Sequence, residues 1–364
     1  MPQRVEKYKL IMCLVICFSL VSATIILGDR TAVVCHDVFS DINRASAQLR
    51  ATSSVREDED KVSIDISGYG GGGYGGDTVS SVPSDISALM EQAEELYSGL
   101  KKSGDIEETY LGPTSQTTSY GVVDVNNKTS QSIDIKGLLN TKPSFGNITK
   151  DEPYILIYHT HSTEGYELLD LGWYSNDYIS RTEDTAKNMI RVGDELSLAL
   201  QEAGFNVIHD RNIYDKSYNG AYDRSRVVVE EYLEKYPSII LTLDVHRDAI
   251  HYDDGTKCKP TATINGKKAA QVMIITGCEG EGVENFPRWK ENLIFSVHLQ
   301  NQVEESYEGL MRPVFFCNRK YNMNVTPCSV LLEFGTDANT LEEAVYSARL
   351  IGDSLGKLLN KNMG

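Results

Sequence analysis

The chain has 364 residues, 41% of them hydrophobic, and a formal net charge of −17 at pH 7. Its length suits one sizeable globular domain with appendages or two small domains, and its acidity argues against non-specific binding of nucleic acid, which needs basic surfaces against phosphate. The seven cysteines contain no Cys-x-x-Cys pair, so neither a cysteine zinc site nor a thioredoxin-like motif is expected. Whether the cysteines form a disulfide is left open.

The N-terminal segment is predicted to anchor the chain in a membrane. Residues 1–9 carry three basic residues against one acid, and residues 10–27 form an uncharged apolar run just long enough to span a bilayer as a helix. Positive charges before the run predict a cytoplasmic n-region at 1–9, a transmembrane anchor at 10–28 and an exported remainder. The rival interpretation is a cleaved signal peptide, because Val21-Ser22-Ala23 resembles a cleavage site, although apolar residues continue to Leu27.

A flexible acidic stalk is predicted for residues 29–117. The glycine-rich tract at 68–76 has the composition of a flexible linker. Ser84 is placed to cap a helix with an apolar stripe on one side. The stripe consists of Ile86, Leu89, Met90, Ala93, Leu96 and Leu100. This helix is either an isolated amphipathic element in a spacer or a docking helix for a partner.

An extracytoplasmic catalytic domain is predicted for residues 118–364, where apolar segments alternate with amphipathic ones. Strands are expected at Ile155–Tyr158, Phe205–Ile208, Ile239–Val245 and Val330–Phe334, with a hairpin over Thr261–Ile275 that turns at Asn265-Gly266. Helices are expected at Glu183–Ala203, Tyr222–Tyr236, Pro287–Tyr307 and Leu341–Asn360. This alternation predicts an α/β fold with a mainly parallel sheet and helices on both faces.

Three of the predicted strands end in side chains that are able to do chemistry. The first runs into His159, His161 and Glu164. The third runs into His246, and the last contains Glu333. Because the carboxyl ends of parallel strands lie at one edge of a sheet, we expect these groups to meet.

This set of residue types predicts a hydrolytic zinc site. Two imidazoles and a carboxylate are typical ligands of such a site, with a water in the fourth position whose pKa falls to about 7. His161 and Glu164 have the His-x-x-Glu spacing of several zinc peptidases. We therefore expect zinc on His161, Glu164 and His246. Glu333, in an otherwise apolar strand, is expected to accept the proton of the water.

The two histidines of the first segment alternate along an extended chain, so they point to opposite sides. His161 is preferred as the ligand because it is in register with Glu164, and His159 is predicted beside the metal as a supporting or substrate-orienting group. The choice between the two histidines is open.

Three further assignments accompany this site. If Glu164 instead caps a helix, the carboxylate ligand is expected at 183–184. Asp244 or Asp248 is expected to hold the far ring nitrogen of the second-segment histidine. Arg247 is expected to bind the tetrahedral oxyanion or a peptide carboxylate.

Three segments resemble the signature motifs of the stage II sporulation protein P family, namely Tyr158–Glu164, Asp244–Asp248 and Leu331–Gly335. Shorter pieces agree with this resemblance: Asp215, Tyr218–Tyr222, Ser225-Arg226, Tyr321-Asn322 and Asn339–Ala344. The resemblance covers about residues 120–364. It is specific, because several motifs recur in order.

The resemblance implies a membrane-anchored, zinc-dependent peptidoglycan hydrolase that acts in engulfment during endospore formation, at the septum between forespore and mother cell. It implies N-acetylmuramoyl-L-alanine amidase activity, with an endopeptidase activity also credited to members, and a fold similar to the zinc amidase and carboxypeptidase-like group. The implied partners are stage II sporulation proteins D and M. The implied essential residues are His159 or His161, His246 and Glu333.

Two other functions use the same residues. One is a non-catalytic peptidoglycan-binding scaffold with a degenerate hydrolase fold, and the other is a zinc carboxypeptidase or endopeptidase on this fold. Nucleotide binding is unsupported, because the sequence has neither a P-loop motif nor a Gly-x-Gly-x-x-Gly motif after a predicted strand.

Overall fold

The computed structural model describes residues 33–34 and 82–363. The predicted n-region at 1–9, the anchor at 10–28 and the glycine-rich tract at 68–76 lie outside the described residues. Within the described residues, no helix combines the length and the apolar character needed to cross a membrane.

The chain alternates between strands and helices. The strands are β1 (Val33–Val34), β2 (Gly104–Thr109), β3 (Thr117–Tyr120), β4 (Val123–Asn127), β5 (Ile155–Tyr158), β6 (Trp173–Tyr174), β7 (Val207–His209), β8 (Leu241–Asp248), β9 (Ile250–His251), β10 (Lys257–Ile264), β11 (Lys267–Ala270), β12 (Val272–Gly277), β13 (Val314–Cys317) and β14 (Cys328–Thr336). The helices are α1 (Ser84–Ser98), α2 (Ile135–Leu139), α3 (Met189–Glu202), α4 (Ala221–Lys235), α5 (Trp289–Ser306) and α6 (Leu341–Asn362).

The larger sheet has eight strands in the order β3-β4-β13-β12-β14-β8-β5-β7. Its pairings are parallel except those of β3 with β4 and β12 with β14. Strand β8 is buried along its whole length, as is typical of a central parallel strand covered on both faces. The prediction of a mixed α/β fold is confirmed, and this sheet is mainly parallel.

Strand β5 shows how both faces of the larger sheet are covered. Ile155 and Ile157 belong to the large core that includes residues of α3 and α6. Leu156 and Tyr158, which point to the other face, pack with Val229 of α4. A continuous apolar run is therefore required here, because each successive side chain is buried on one face or the other.

A second sheet is built on β10, which pairs with β2, β9 and β11. The predicted hairpin turn is confirmed: Asn265 and Gly266 have φ of 50° and 79°, the positive values that a type I′ turn needs at both central residues. The hairpin ends at Ala270, earlier than predicted, because the chain then passes into the larger sheet as β12. Gln271 lies between β11 and β12, where the chain passes from one sheet to the other. Its side chain is buried, and its amide nitrogen donates to Gly309 O.

Part of the segment predicted as stalk, residues 29–117, packs against the domain predicted for 118–364. Helix α1 buries Ile86, Ala93 and Tyr97 in the large core, and β2 pairs in parallel with β10. The physical reason is that an apolar stripe on a helix and an open strand edge both gain stability from a covering partner. The domain itself supplies that partner.

The starts of α1 and α3 differ from the predicted positions for identifiable reasons. Helix α1 has Pro83 as its N-cap, so Ser84 is the first helical residue and does not cap the helix. Helix α3 begins at Met189 instead of Glu183. The side chain of Asn188 accepts a hydrogen bond from the N–H of Ile190, and the preceding residues form local turns that compete with helix.

Candidate active site

The site lies where three adjacent parallel strands end. Strand β8 lies between β5 and β14, with Tyr158 opposite Asp244 and Glu333 opposite His246. The segment that follows β5 therefore reaches the same sheet edge as the carboxyl halves of β8 and β14. The three motifs therefore lie at one edge of the sheet, as predicted.

His246 is the centre of this cluster and is fully buried. Its Nδ1 lies 3.5 Å from Glu164 Oε2, and its Nε2 lies 2.7 Å from Asp244 Oδ1. The ring of His161 lies edge-on to it, with 5.4 Å between the ring centroids. The structure thus brings together the three predicted zinc ligands. It also places Asp244 at the far nitrogen of His246, whereas Asp248 binds Arg312.

Glu164 is held as an ionised carboxylate. Its Oε1 accepts a hydrogen bond from Nη2 of Arg181 at 3.0 Å, and its Oε2 accepts from the backbone N–H of Arg247 at 3.2 Å. Although burial raises the pKa of Glu164, the hydrogen bond from His246 and the charge of Arg181 hold it well below its ordinary value. An ionised, oriented carboxylate is the form that binds a cation.

Glu333 has the opposite electrostatic character. It is 2% exposed, and its Oε2 has no hydrogen-bond partner among the described residues. Burial and the negative charge of Asp248 raise the pKa of Glu333 well above its ordinary value, despite the opposing effect of His246. A carboxylate with raised proton affinity is suited to take a proton from water.

His159 lies behind this cluster, on the other side of the chain from His161. Its Nδ1 lies 2.9 Å from Val245 O and its Nε2 lies 2.8 Å from His209 Nε2. Burial lowers the pKa of His159 well below its ordinary value, and burial lowers the pKa of His209 to about 4. Both ring nitrogens of His159 are engaged within the protein, so the side chain supports the end of β8.

Arg247 makes its contacts within the protein, so its predicted role stays a prediction. Its side chain is buried, and its Nε donates to Gly165 O at 2.8 Å while Nη1 reaches Asp248 O at 3.4 Å. The guanidinium thus supplies hydrogen-bond donors to the backbone carbonyls of Gly165 and Asp248. The expected contact of Arg247 with an oxyanion or a peptide carboxylate therefore has no geometric support.

The alternative carboxylate ligands at 183–184 differ from Glu164 in exposure and in their partners. The side chains of Glu183 and Asp184 are 59% and 46% exposed and form ion pairs with Lys216 and Lys187. They lie before α3 and are engaged at the surface, whereas Glu164 lies beside His246.

Four further residues, which were not predicted to have a role in the site, complete it. Arg181 bridges Glu164 and Asp215, and Asp215 Oδ2 lies 3.8 Å from Nδ1 of His161. Tyr218 stacks on the ring of His161 at 4.5 Å with planes 3° apart, and Tyr222 meets that ring edge-on at 5.5 Å. Asp215 and the two tyrosines lie in the segment that supported the family resemblance, whereas Arg181 carried no signal.

The described residues contain no nucleophile elbow. The sequence Gly352–Gly356 matches Gly-x-Ser-x-Gly, but it lies inside α6 with Ser354 buried, so it does not form the strand-to-helix turn of such an elbow. Cys258, Cys278 and Cys328 are buried free thiols. The chemistry of the site therefore rests on its imidazoles and carboxylates.

The donor set fits zinc in type and partly in spacing. Ligand atoms in a tetrahedral zinc site lie about 3.3–3.6 Å apart, and His246 Nδ1 and Glu164 Oε2 meet this separation. His161 Nδ1 is buried without a hydrogen-bond partner in the described residues, and Asp244 stands where a carboxylate commonly supports a ligating imidazole. No three His, Cys, Asp or Glu side chains within 82–363 are already in position to hold a metal ion. Binding by all three ligands therefore requires side-chain adjustment.

The fold and site define a mixed α/β protein with a buried histidine–carboxylate cluster at one edge of its main sheet. The family model for stage II sporulation protein P (SpoIIP) matches residues 76–356. The chain belongs to this family. It is 31% identical over 222 residues to the stage II sporulation protein P of Bacillus subtilis, a match that covers 58% of this chain and only 52% of that relative.

Solved amidase structures are similar at the level of the fold alone. The CwlD amidase of Clostridioides difficile in complex with the GerS lipoprotein is 12% identical, with a TM-score of 0.35 and coverage of 57% of this chain and 100% of that one. The N-acetylmuramoyl-L-alanine amidase of Clostridium difficile 630 is 14% identical, with a TM-score of 0.33 and coverage of 58% and 100%.

Proposed function

We propose that this chain is a zinc-dependent peptidoglycan hydrolase, an N-acetylmuramoyl-L-alanine amidase, that acts in engulfment during endospore formation. The observation that carries the proposal is the convergence of His161, Glu164, His246 and Glu333 at the buried ends of adjacent strands. Burying two carboxylates and two imidazoles together costs several kcal/mol unless the groups are paired or coordinate a metal, and hydrolysis by a bound metal is a chemistry that uses this set.

In this proposal zinc is held by His161, Glu164 and His246. When bound, zinc polarises a carbonyl and makes hydroxide available near neutral pH. Glu333 accepts the proton of the attacking water and returns it to the leaving nitrogen of the lactyl–L-alanine amide. Arg181 orients Glu164 by binding the carboxylate oxygen that faces away from His246. An endopeptidase activity on the cross-linking peptides would use the same groups.

The cellular setting is proposed from family membership and from the apolar run at 10–27. The chain is proposed to be anchored by a single span in the cell membrane, with its catalytic domain outside the cytoplasm at the septum between forespore and mother cell. Stage II sporulation proteins D and M are the proposed partners, and peptidoglycan is the proposed substrate.

The test is mass spectrometry of sporulation-type peptidoglycan digested by the full chain. Amidase action predicts stem peptides with a free N-terminal L-alanine and glycan strands with intact lactyl groups. New termini within the peptides alone would instead indicate a carboxypeptidase or endopeptidase. Unchanged peptidoglycan together with a chain that binds no zinc would indicate a peptidoglycan-binding scaffold and would overturn the proposal.

A further inference from the structure

The hydroxyl of Tyr222 is a buried polar group without a partner. Its oxygen is inaccessible to solvent and has no hydrogen-bond partner within the described residues. Buried tyrosine hydroxyls usually find a partner, because an unmade hydrogen bond costs about 1–3 kcal/mol. An orphaned hydroxyl in a native structure therefore needs an explanation.

The position of Tyr222 supplies that explanation. Its ring meets His161 edge-on at 5.5 Å and lies nearly parallel to His246, 11° apart at 6.4 Å. The same cluster contains three other buried atoms without a hydrogen-bond partner among the described residues: His161 Nδ1, His246 Nε2 and Glu333 Oε2. Four of the nine buried side-chain atoms without a hydrogen-bond partner in the described residues thus belong to the proposed reaction centre, where a substrate would bring new partners.

The ring of Tyr222 is fixed by its surroundings. Tyr321 stacks on it at 5.3 Å, and Asn322 Nδ2 donates to Tyr222 O at 2.9 Å and reaches Ser225 Oγ at 3.2 Å. Tyr321 and Asn322 have φ of 39° and 58°, a sparsely populated conformation for residues other than glycine. Strained backbone of this kind is found where a site has to hold a group in one position.

We infer that Tyr222 is a further catalytic residue, whose hydroxyl donates a hydrogen bond to the oxyanion formed when water attacks the scissile amide. The inference rests on the proposed amidase function. A phenol has an ordinary pKa near 10, so it is a hydrogen-bond donor at neutral pH. Prepositioned donors of this kind act on charge that develops only in the transition state.

The step balances without any further reactant. The oxygen of water bonds to the lactyl carbonyl carbon as Glu333 takes the proton, and the carbonyl π electrons move onto the carbonyl oxygen. Tyr222 donates a hydrogen bond to that oxyanion and keeps its own proton. When the carbonyl re-forms, the bond from carbon to nitrogen breaks, and Glu333 returns the proton to the amine of L-alanine.

The test compares Tyr222→Phe with the wild-type full chain on soluble N-acetylmuramoyl-peptide fragments. The expected result is a fall in kcat of about 10²-fold, the usual effect of removing one oxyanion donor. The binding of a phosphinate analogue, in which tetrahedral phosphorus replaces the scissile carbonyl, should weaken by a similar factor. Because the lost hydroxyl has no hydrogen-bond partner among residues 82–363, Tm and zinc content should not fall.

Tyr232→Phe is the matched control, since Tyr232 lies on the same helix and packs in a separate apolar cluster. It should keep wild-type kcat. Wild-type kcat in Tyr222→Phe, or a loss explained by lower Tm or lost zinc, would overturn the inference, as would unchanged binding of the analogue. If the wild-type chain itself releases no peptides from muramic acid, the proposed function fails. An active wild type with an equally active Tyr222→Phe removes only the role of Tyr222.

Discussion

Glu333 of β14 and His246 of β8 are directly opposite each other in adjacent parallel strands. Residues paired in this way project to the same face of a sheet, so a carboxylate and an imidazole separated by 87 positions in the chain share one buried environment. Their charges act on each other, since His246 lowers the proton affinity of Glu333 while burial raises it. This pairing divides the site into a cation-binding half around His246 and a proton-accepting half at Glu333.

The division predicts the effect of Glu333→Gln. The amide keeps the shape of the side chain but cannot accept a proton, so amide hydrolysis should fall about 10²–10⁴-fold while zinc content stays at the wild-type value. Product release and inductively coupled plasma mass spectrometry measure the two quantities. The same change at exposed Glu234 should alter neither. Full activity in Glu333→Gln would remove this residue from the mechanism.

The His159–His209 pair predicts a steric requirement at Gly193 of α3. A Cβ at this position would lie 2.5 Å from Nε2 of both imidazoles. Gly193→Ala should therefore lower the free energy of unfolding by about 1–3 kcal/mol, as overpacking usually does. Denaturant unfolding is the measurement. Gly99→Ala is the control, because its Cβ would meet only Leu96 O at 3.7 Å, and an equal loss in both variants would contradict the steric explanation.

Helix α1 predicts that residues before 118 contribute to the stability of the domain. Ile86 is 1% exposed, so Ile86→Ala should cost about 2–5 kcal/mol in the free energy of unfolding of the full chain. Leu96 lies on the same helix but is 50% exposed, and Leu96→Ala should change the value by no more than about 0.5 kcal/mol. Equal effects of the two substitutions would show that the helix does not pack as described.

Asp337 predicts a dependence of stability on pH. Burial raises its pKa, but the hydrogen bond with His251 and the charges of Arg247 and Lys257 outweigh it and hold the pKa of Asp337 well below its ordinary value. A carboxylate with a depressed pKa stabilises the fold above the unfolded-state value of about 3.9 and loses that contribution as pH falls below it. Asp337→Asn should thus be less stable than wild type at pH 6, with a smaller difference at pH 3. A constant difference in denaturant unfolding would contradict this.

Much of the fold was predictable from local patterns. Strand β5 was predicted at its observed bounds because an apolar run of four residues is unambiguous when polar groups follow it. The turn at Asn265-Gly266 was predictable because few residues tolerate two successive positive φ values. The meeting of His161, Glu164 and His246 followed from the rule that the carboxyl ends of parallel strands share an edge.

The remaining features depend on contacts distant in sequence. The start of α3 was mispredicted because side-chain turns before Asn188 compete with helical hydrogen bonds. The contacts of Arg247 could not be predicted, because its proximity to His246 in sequence suggested the site, whereas in the fold its Nε donates to the backbone carbonyl of Gly165. Arg181 was missed because only the fold brings it between Glu164 and Asp215.

The central claim is that zinc on His161, Glu164 and His246 enables this chain to cleave the muramyl amide. The most direct test is the rate at which N-terminal L-alanine appears in peptidoglycan treated with the full chain, first stripped of metal by a chelator and then given one equivalent of zinc. The account predicts that the metal-free chain is inactive and that zinc restores release of L-alanine termini. Equal release by the metal-free and zinc-loaded chains would contradict it.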